Sequence, residues 1–267
     1  PIPDYDTVAP ASLATAGIVD YIHRHRGVAC FNHPPVNNIA ELAEKLVKTQ
    51  AYGVDLMEIA HFTSPPERFP TRLKLWDLLS KQGVVVTGIA SGDQHDARMG
   101  WAVPDKTDAA ACSWVTRIWA DQLEEAALLE GLLAGRVFFA NPSRFHGDLD
   151  IRGEHGLRMG GVCVTREAVD LRAFIGGAFP GDAVVWILNG EEIQCDIIEQ
   201  ASVTSDCRIP CAGKAIRSVR VELQRQNGKD GDAERMACSN PVYLFPDNMN
   251  LPSAAIRRLS PAMGGDS

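Results

Sequence analysis

The chain has 267 residues, a formal net charge of -8 and a pI of about 5.4, and hydrophobic residues make up 45% of it. These values are typical of a globular protein. Because no basic stripe is visible and no apolar run approaches the roughly 20 residues of a membrane span, the sequence disfavours both nucleic-acid binding and membrane insertion. The length allows one large domain or two ordinary ones.

The first 145 residues alternate between helical and strand patterns. Amphipathic segments that stop at glycine predict helices, and short apolar runs predict buried strands. The predicted helices are ATAGIVDYIHRHRG, NIAELAEKLVKTQAYG, PPERFPTRLKLWDLLSKQG and DQLEEAALLEGLLAG, the last with Asp121 as its N-cap. The predicted strands are VACFNH, VDLMEIA, VVVTGIA, CSWVTRIWA and RVFFAN. Such alternation predicts βα units with parallel strands in a sheet or barrel.

Beyond Phe145 the pattern changes to strands joined by turns. Asn189-Gly190 and Asn227-Gly228 are strong signals for two-residue hairpins. We therefore predict an antiparallel β-sandwich domain at residues 146–250, followed by a flexible tail at 251–267.

Seven cysteines are scattered along the chain without a CxxC pair. This spacing favours reduced thiols over a zinc ribbon. The alternative is one disulfide among Cys195, Cys207 and Cys211, which would suit an exported protein.

Three consecutive predicted strands end in residues that can ligate a metal. His33 follows the first strand, Glu58 lies in the second with His61 just after it, and Asp93-Gln-His95 follows the third. The carboxyl ends of parallel strands open onto one crevice, so these side chains are expected to converge there. Imidazole and carboxylate together suit zinc, manganese or iron. Taken singly, each residue is more often a core histidine or a cap.

The order of these motifs resembles the second half of the PHP superfamily of metallohydrolases, and most closely its CehA/McbA (carbaryl-hydrolase-like) group. The similar segments are CFNHPP, VDLMEIA, VVVTGIASGDQHD and EEAALLEGLLAGRVFFAN, together with Gly135-Arg136, Asn189-Gly190 and the final NPVY. They extend over most of residues 12–246. The resemblance implies the C-terminal part of a distorted (β/α)7 barrel at residues 1–145, with the β-sandwich appended.

The resemblance also implies a site. His33, Asp93 and His95 would bind a divalent transition metal, with Glu58 as a further ligand, and Asp93 would be central to catalysis. His61 and Arg98 are additional catalytic candidates, and Arg98, with Asp96, would bind substrate or shuttle protons. The expected activity is hydrolysis of a small-molecule phosphoester, carbamate, amide or ester by metal-activated water.

One part of the family pattern is missing. The HxH pair and the Asp-His pair that precede these motifs in the family have no counterpart in this sequence. We therefore expect an N-terminal fragment or a partner chain to complete the barrel, since open parallel edges would be left unpaired otherwise.

Two other functions fit the sequence less well. A non-catalytic PHP-like subunit or binding protein would explain the missing HxH pair, but it would not explain why metal-ligand residues lie at three strand ends. A carbohydrate- or protein-binding β-domain is a third alternative, although the β-domain sequence shows no aromatic cluster.

Overall fold

The structure is a computed structural model that describes residues 11–61, 68–92, 114–226 and 233–260. The helices are α1 (Ala11–Arg24), α2 (Ile39–Lys48), α3 (Arg68–Lys81), α4 (Glu125–Leu133) and α5 (Ser253–Ile256), with short 3-10 helices at Gln50–Gly53 and Glu154–Gly156. None of the helices in these ranges is long and apolar enough to span a membrane.

Fourteen strands form three sheets within the described ranges. They are β1 (Cys30–Phe31), β2 (Leu56–His61), β3 (Thr87–Ser91), β4 (Val115–Ile118), β5 (Val137–Ala140), β6 (Asp148–Gly153), β7 (Val162–Val164), β8 (Val169–Gly176), β9 (Asp182–Leu188), β10 (Glu191–Ile197), β11 (Ser202–Ile209), β12 (Arg217–Gln226), β13 (Ala233–Ser239) and β14 (Val242–Phe245).

The first three strands form a parallel sheet in the order β1-β2-β3. Helices α2 and α3 pack beside it, and the apolar face of α2 contacts the same core, as the sequence predicted. Trp76 of α3 lies so close to β3 that a Cβ on Gly88 would come within 2.6 Å of its ring. Glycine at position 88 therefore allows the helix to approach the strand closely.

The remaining strands form two sheets that pack face to face. One is an eight-stranded mixed sheet with the strand order β10-β9-β12-β13-β5-β4. Strand β14 also pairs with β12, and β7 pairs with β14. The other is a three-stranded antiparallel sheet in the order β11-β8-β6. Alternating side chains of both sheets form one apolar core. The Asn189-Gly190 hairpin is confirmed, since Leu188 pairs with Glu191 and both turn residues have positive φ.

The predicted partial (β/α)7 barrel is wrong. Among the described strands that precede residue 146, only β1, β2 and β3 are parallel neighbours, whereas β4 and β5 pair antiparallel and belong to the eight-stranded sheet. The apolar pattern of β4, α4 and β5 indicated a βα unit, but apolar runs do not distinguish parallel from antiparallel pairing when both faces are buried. Helix α4 also begins after Glu124, whose side chain makes no capping bond, so Asp121 is not the N-cap.

Side chains, rather than another parallel strand, bond the outer edge of β3. Thr116 Oγ1 accepts a bond from the Ala90 N–H at 3.0 Å and donates to the Ala90 carbonyl at 2.6 Å. Asn240 Oδ1 accepts from the Gly88 N–H at 2.7 Å, and its Nδ2 donates to the carbonyls of Gly88 and Val137, both at 2.8 Å. These bonds satisfy backbone groups that a barrel would have paired with its next strand.

A buried charge network joins α3 to the eight-stranded sheet. Arg220 of β12 donates through two nitrogens to Asp77 of α3, both at 2.8 Å, and through the third to Glu222 at 2.6 Å. Glu222 also accepts from Gln224 and from Arg235, each at 2.6 Å. The opposite face of β12 lies in the core between the two sheets. Strand β12 is therefore covered on both faces.

The predicted domain boundary at residue 146 does not separate the sheets of the structure. Strand β5 precedes residue 146 but pairs with β13, so one sheet contains strands from both sides of the expected boundary. The predicted domains 1–145 and 146–250 remain a prediction. In the expected tail, Arg258 and Ser260 each form a backbone hydrogen bond with Val162 of β7.

Candidate functional site

The candidate site lies at the carboxyl edge of the parallel sheet, where three strands bring their polar side chains together. Glu58 of β2 is buried, and its Oε2 accepts hydrogen bonds from the backbone N–H of His33 and from His33 Nδ1, both at 2.8 Å. Its Oε1 accepts a short hydrogen bond from Ser91 Oγ at the end of β3. The end of each strand in the sheet therefore contributes to one polar cluster.

His33 is held in an unusual backbone conformation. Its φ is +28°, a region that non-glycine residues rarely occupy, and its imidazole is 47% exposed. The two bonds to Glu58 fix both the backbone and the ring. Backbone strain of this kind is most often found where a side chain must be held in one orientation for function.

Arg72 of α3 supports the loop that carries His33. Its side chain is buried, and Nε donates to the Pro34 carbonyl at 3.3 Å. The pKa of its guanidinium is lowered, mainly by burial. The nearby Glu58 carboxylate opposes this shift, and Arg68 adds to it. A buried cation close to a buried carboxylate reduces the cost of burying both charges.

Cys30 lies next to the same carboxylate. Burial, and secondly the charge of Glu58, raise the pKa of the Cys30 thiol to about 12, although the residue as a whole has a large exposed fraction. At neutral pH the sulfur therefore stays a thiol, which is a poor nucleophile and a poor metal ligand. The six cysteines in the described ranges are all unpaired, so the structure shows no disulfide among Cys195, Cys207 and Cys211.

The arrangement is not a Ser-His-acid triad. In such a triad the imidazole lies between hydroxyl and carboxylate, so that it can take the hydroxyl proton. Here Glu58 lies between Ser91 and His33 and accepts from both. Ser91 is thus oriented by its bond to the Glu58 carboxylate rather than by the His33 ring.

The structure places two of the expected site residues together and leaves the others undetermined. His33 and Glu58 are in direct contact. His61 is the last residue of β2, its backbone pairs with Ser91, and its side chain lies outside what the structure describes. Asp93, His95, Asp96 and Arg98 also lie outside the described residues. Within the described ranges no group of three or more His, Cys, Asp or Glu side chains is arranged to hold a metal.

Sequence reasoning missed the roles of Ser91 and Arg72. Ser91 stands two residues before Asp93 at a strand end, so its position was a usable signal. Arg72 lies in a helix with several charged residues, and only the packing of α3 shows that its side chain is buried.

One histidine outside the site also has a buried acidic partner. His23 Nε2 lies 2.8 Å from Asp55 Oδ2, which accepts a bond from the Ala29 N–H at 2.9 Å as well. Asp55 precedes β2, so this pair lies at the amino end of the sheet, away from Glu58. We interpret the pair as a structural link between α1 and the sheet.

No family model matches the chain, and no curated protein shows significant similarity to it. Two solved structures are similar to part of it. The CARDB domain of a Pyrococcus furiosus protein, solved in complex with di-metal ions, matches with 12% identity and a TM-score of 0.25, over 38% of this chain and 96% of that one. The C-terminal domain of wzt matches with 10% identity and a TM-score of 0.25, over 39% of this chain and 72% of that one. At these TM-scores neither likeness carries an argument about fold or function.

Proposed function

We propose that this chain belongs to a metal-dependent hydrolase whose metal binds at the carboxyl edge of the parallel sheet. The observation that carries the proposal is the 2.8 Å contact between His33 Nδ1 and the buried Glu58 carboxylate. A carboxylate only accepts hydrogen bonds, so Nδ1 carries a proton, and in the neutral imidazole Nε2 then carries the lone pair. This is the arrangement in which metal-ligating histidines are usually held.

The donor set fits a divalent transition metal. An imidazole with a fixed tautomer, followed along the chain by Asp93 and His95, offers the nitrogen and oxygen ligands that suit zinc, manganese or iron. Glu58 was expected as a ligand from the sequence. Because its two oxygens already accept bonds from His33 and Ser91, we propose instead that it orients His33.

The described residues would prepare the site for hydrolysis. Glu58 keeps the proton on Nδ1 of His33, and Arg72 anchors the adjoining Pro34 carbonyl. A divalent metal bound beside them would polarise a phosphoryl or carbonyl oxygen and activate water. Asp93, His61 and Arg98 stay proposed catalytic residues.

The substrate proposed is a small molecule with a hydrolysable phosphoester, carbamate, amide or ester bond. The negative net charge of the chain disfavours a large polyanionic substrate. An additional fragment or partner chain that supplies further ligands also remains a proposal.

A hydrolysis assay tests the function. The full chain is incubated with zinc, manganese or iron(II) and with p-nitrophenyl phosphate, bis-p-nitrophenyl phosphate, p-nitrophenyl acetate and an aryl N-methylcarbamate. We expect the metal-dependent hydrolysis that the chain supports, alone or with the proposed additional fragment, to be lost in His33→Ala and in Asp93→Asn. If hydrolysis persists unchanged in both variants, the proposed site is wrong.

His155 provides a matched control. Like His33, it has positive φ, here +53°, a side chain about half exposed at 53%, and a neighbouring glutamate, with 3.8 Å between His155 Nε2 and Glu154. It lies after β6, far along the chain from the parallel sheet. His155→Ala should leave hydrolysis unchanged. Metal binding without hydrolysis of any substrate in the panel would favour the non-catalytic alternative.

A further inference from the structure

A groove lies on the solvent face of the three-stranded sheet β6-β8-β11. A groove of about 630 Å³ adjoins a second of about 370 Å³, and both are lined by Arg152 and Phe174. Each volume falls in the range of small-molecule sites, roughly 300–1,000 Å³. The groove is separate from the candidate metal site, which lies on another sheet.

Paired arginine and aspartate side chains line one half of this groove. Arg172 donates to both oxygens of Asp206 on the neighbouring strand, at 2.5 and 2.9 Å. Arg208 Nη1 donates to Asp170 Oδ2 at 2.5 Å across the same two strands. The strand register places each arginine directly opposite its aspartate. Planar donors and acceptors are thus held side by side along the groove.

An aromatic platform lies at the point where the two grooves meet. The guanidinium of Arg152 stacks over the Phe174 ring at 4.7 Å, and its Nε donates to the buried Asp150 at 2.8 Å. Thr204 stands directly across from Phe174 on β11. Trp119 lines the far end, and its indole N–H is already bonded to the Leu149 carbonyl at 2.9 Å, which fixes the ring.

The charge of the groove restricts what it can bind. Three arginines face five acidic side chains, namely Asp148, Asp150, Glu154, Asp170 and Asp206, so the lining of the two grooves carries a net negative charge. A nucleic acid needs a basic surface, which this is not. The centre of a protein interface is depleted in charge, whereas charges here run along the whole groove.

We infer that the outer face of the β6-β8-β11 sheet binds a neutral oligosaccharide. A hydroxyl both donates and accepts, so neighbouring sugar hydroxyls can bond to a guanidinium and a carboxylate at once. The apolar face of a sugar ring would lie on the part of the half-buried Phe174 ring that the Arg152 guanidinium leaves exposed. The paired side chains are already held in place, so less side-chain entropy is lost on binding.

Affinity electrophoresis tests this inference. The full chain is run through native gels that contain soluble starch, dextran, a mixed-linkage β-glucan, galactomannan or xylan, with polygalacturonate as the acidic comparison. We expect retardation by at least one neutral polysaccharide. In Phe174→Leu, which keeps an apolar side chain but removes the ring, and in Arg172→Ala the affinity should fall at least about tenfold.

Arg166→Ala is the matched control, because Arg166 forms an exposed pair with Asp247 that does not line the groove. It should bind like the unmodified chain. If Phe174→Leu fails to fold, Thr204→Glu, at an exposed position, should block the groove without affecting the core. The inference is overturned if no neutral polysaccharide retards the chain, if only polygalacturonate does, or if the groove variants bind as well as the control.

Discussion

Two clusters of buried acidic side chains in this molecule have very different surroundings. Asp77 and Glu222 meet Arg220 in the interior, where the Arg220 side chain is 4% exposed and every nitrogen of its guanidinium is bonded. Glu58 is equally buried but meets His33, whose ring is 47% exposed. The first cluster is closed and holds two layers together. The second has a buried anchor and an accessible end, so a ligand could reach it.

The closed cluster should show the largest effect on stability. Arg220→Ala leaves Asp77 and Glu222 buried with less compensation, and we expect it to lower the free energy of unfolding by about 3–5 kcal/mol. Urea unfolding measures this. Arg166→Ala removes an exposed pair and should cost about 0–1 kcal/mol. Equal effects in the two variants would show that the buried network does not hold the layers together.

The next largest loss of stability is expected when the side-chain bonds at the edge of β3 are removed. Asn240→Ala leaves backbone groups of Gly88 and Val137 without their side-chain partners, so we expect a loss of about 2–4 kcal/mol. Thr116→Val keeps the side-chain volume and removes only the hydroxyl, so it should cost less. Urea unfolding of both variants checks the order. A loss below about 0.5 kcal/mol in Asn240→Ala would mean that this edge is satisfied in another way.

At the open cluster the expected effect is on metal affinity. Glu58→Gln keeps the shape of the side chain but no longer favours the proton on Nδ1 of His33, and we expect metal affinity to fall about 10- to 100-fold. Competition with a fluorescent zinc chelator measures the change. Complete loss of binding in Glu58→Gln, equal to that in His33→Ala, would indicate that Glu58 is itself a ligand.

The smallest expected effect concerns Cys30. Its raised thiol pKa, about 12, has burial as its main cause and the Glu58 charge as the second. Glu58→Gln removes only the second cause, so the pKa should fall and the thiolate fraction at pH 8 should rise by about two- to tenfold. Mass spectrometry of iodoacetamide labelling against time reports the rate at Cys30. An unchanged labelling rate would show that the Glu58 charge does not affect the pKa of the Cys30 thiol.

The sequence predicted much of the parallel sheet. The helices α1, α2 and α3 and the strands β1, β2 and β3 lie where periodicity and glycine stops indicated. Metal-ligand residues at strand ends also pointed to the place where His33 and Glu58 meet. Local patterns sufficed because each of these features depends on a short segment of chain.

The arrangement of the later strands could not be predicted in the same way. Strand β5 pairs with β13, which follows it by nearly a hundred residues, and Asn240 bonds to Gly88 across 152 positions. Neither pairing leaves a periodic signal. The resemblance to a barrel family then favoured a parallel continuation, and the antiparallel pairing of β4 with β5 contradicts it.

The most direct test of the proposed site is the metal content of three proteins. The unmodified chain, His33→Ala and His155→Ala are each exposed to zinc, manganese and iron(II), desalted and measured by elemental mass spectrometry, with circular dichroism to verify folding. The account predicts that the unmodified chain and His155→Ala retain the same metal, and that folded His33→Ala loses it. Equal metal content in all three proteins would contradict a metal site at His33.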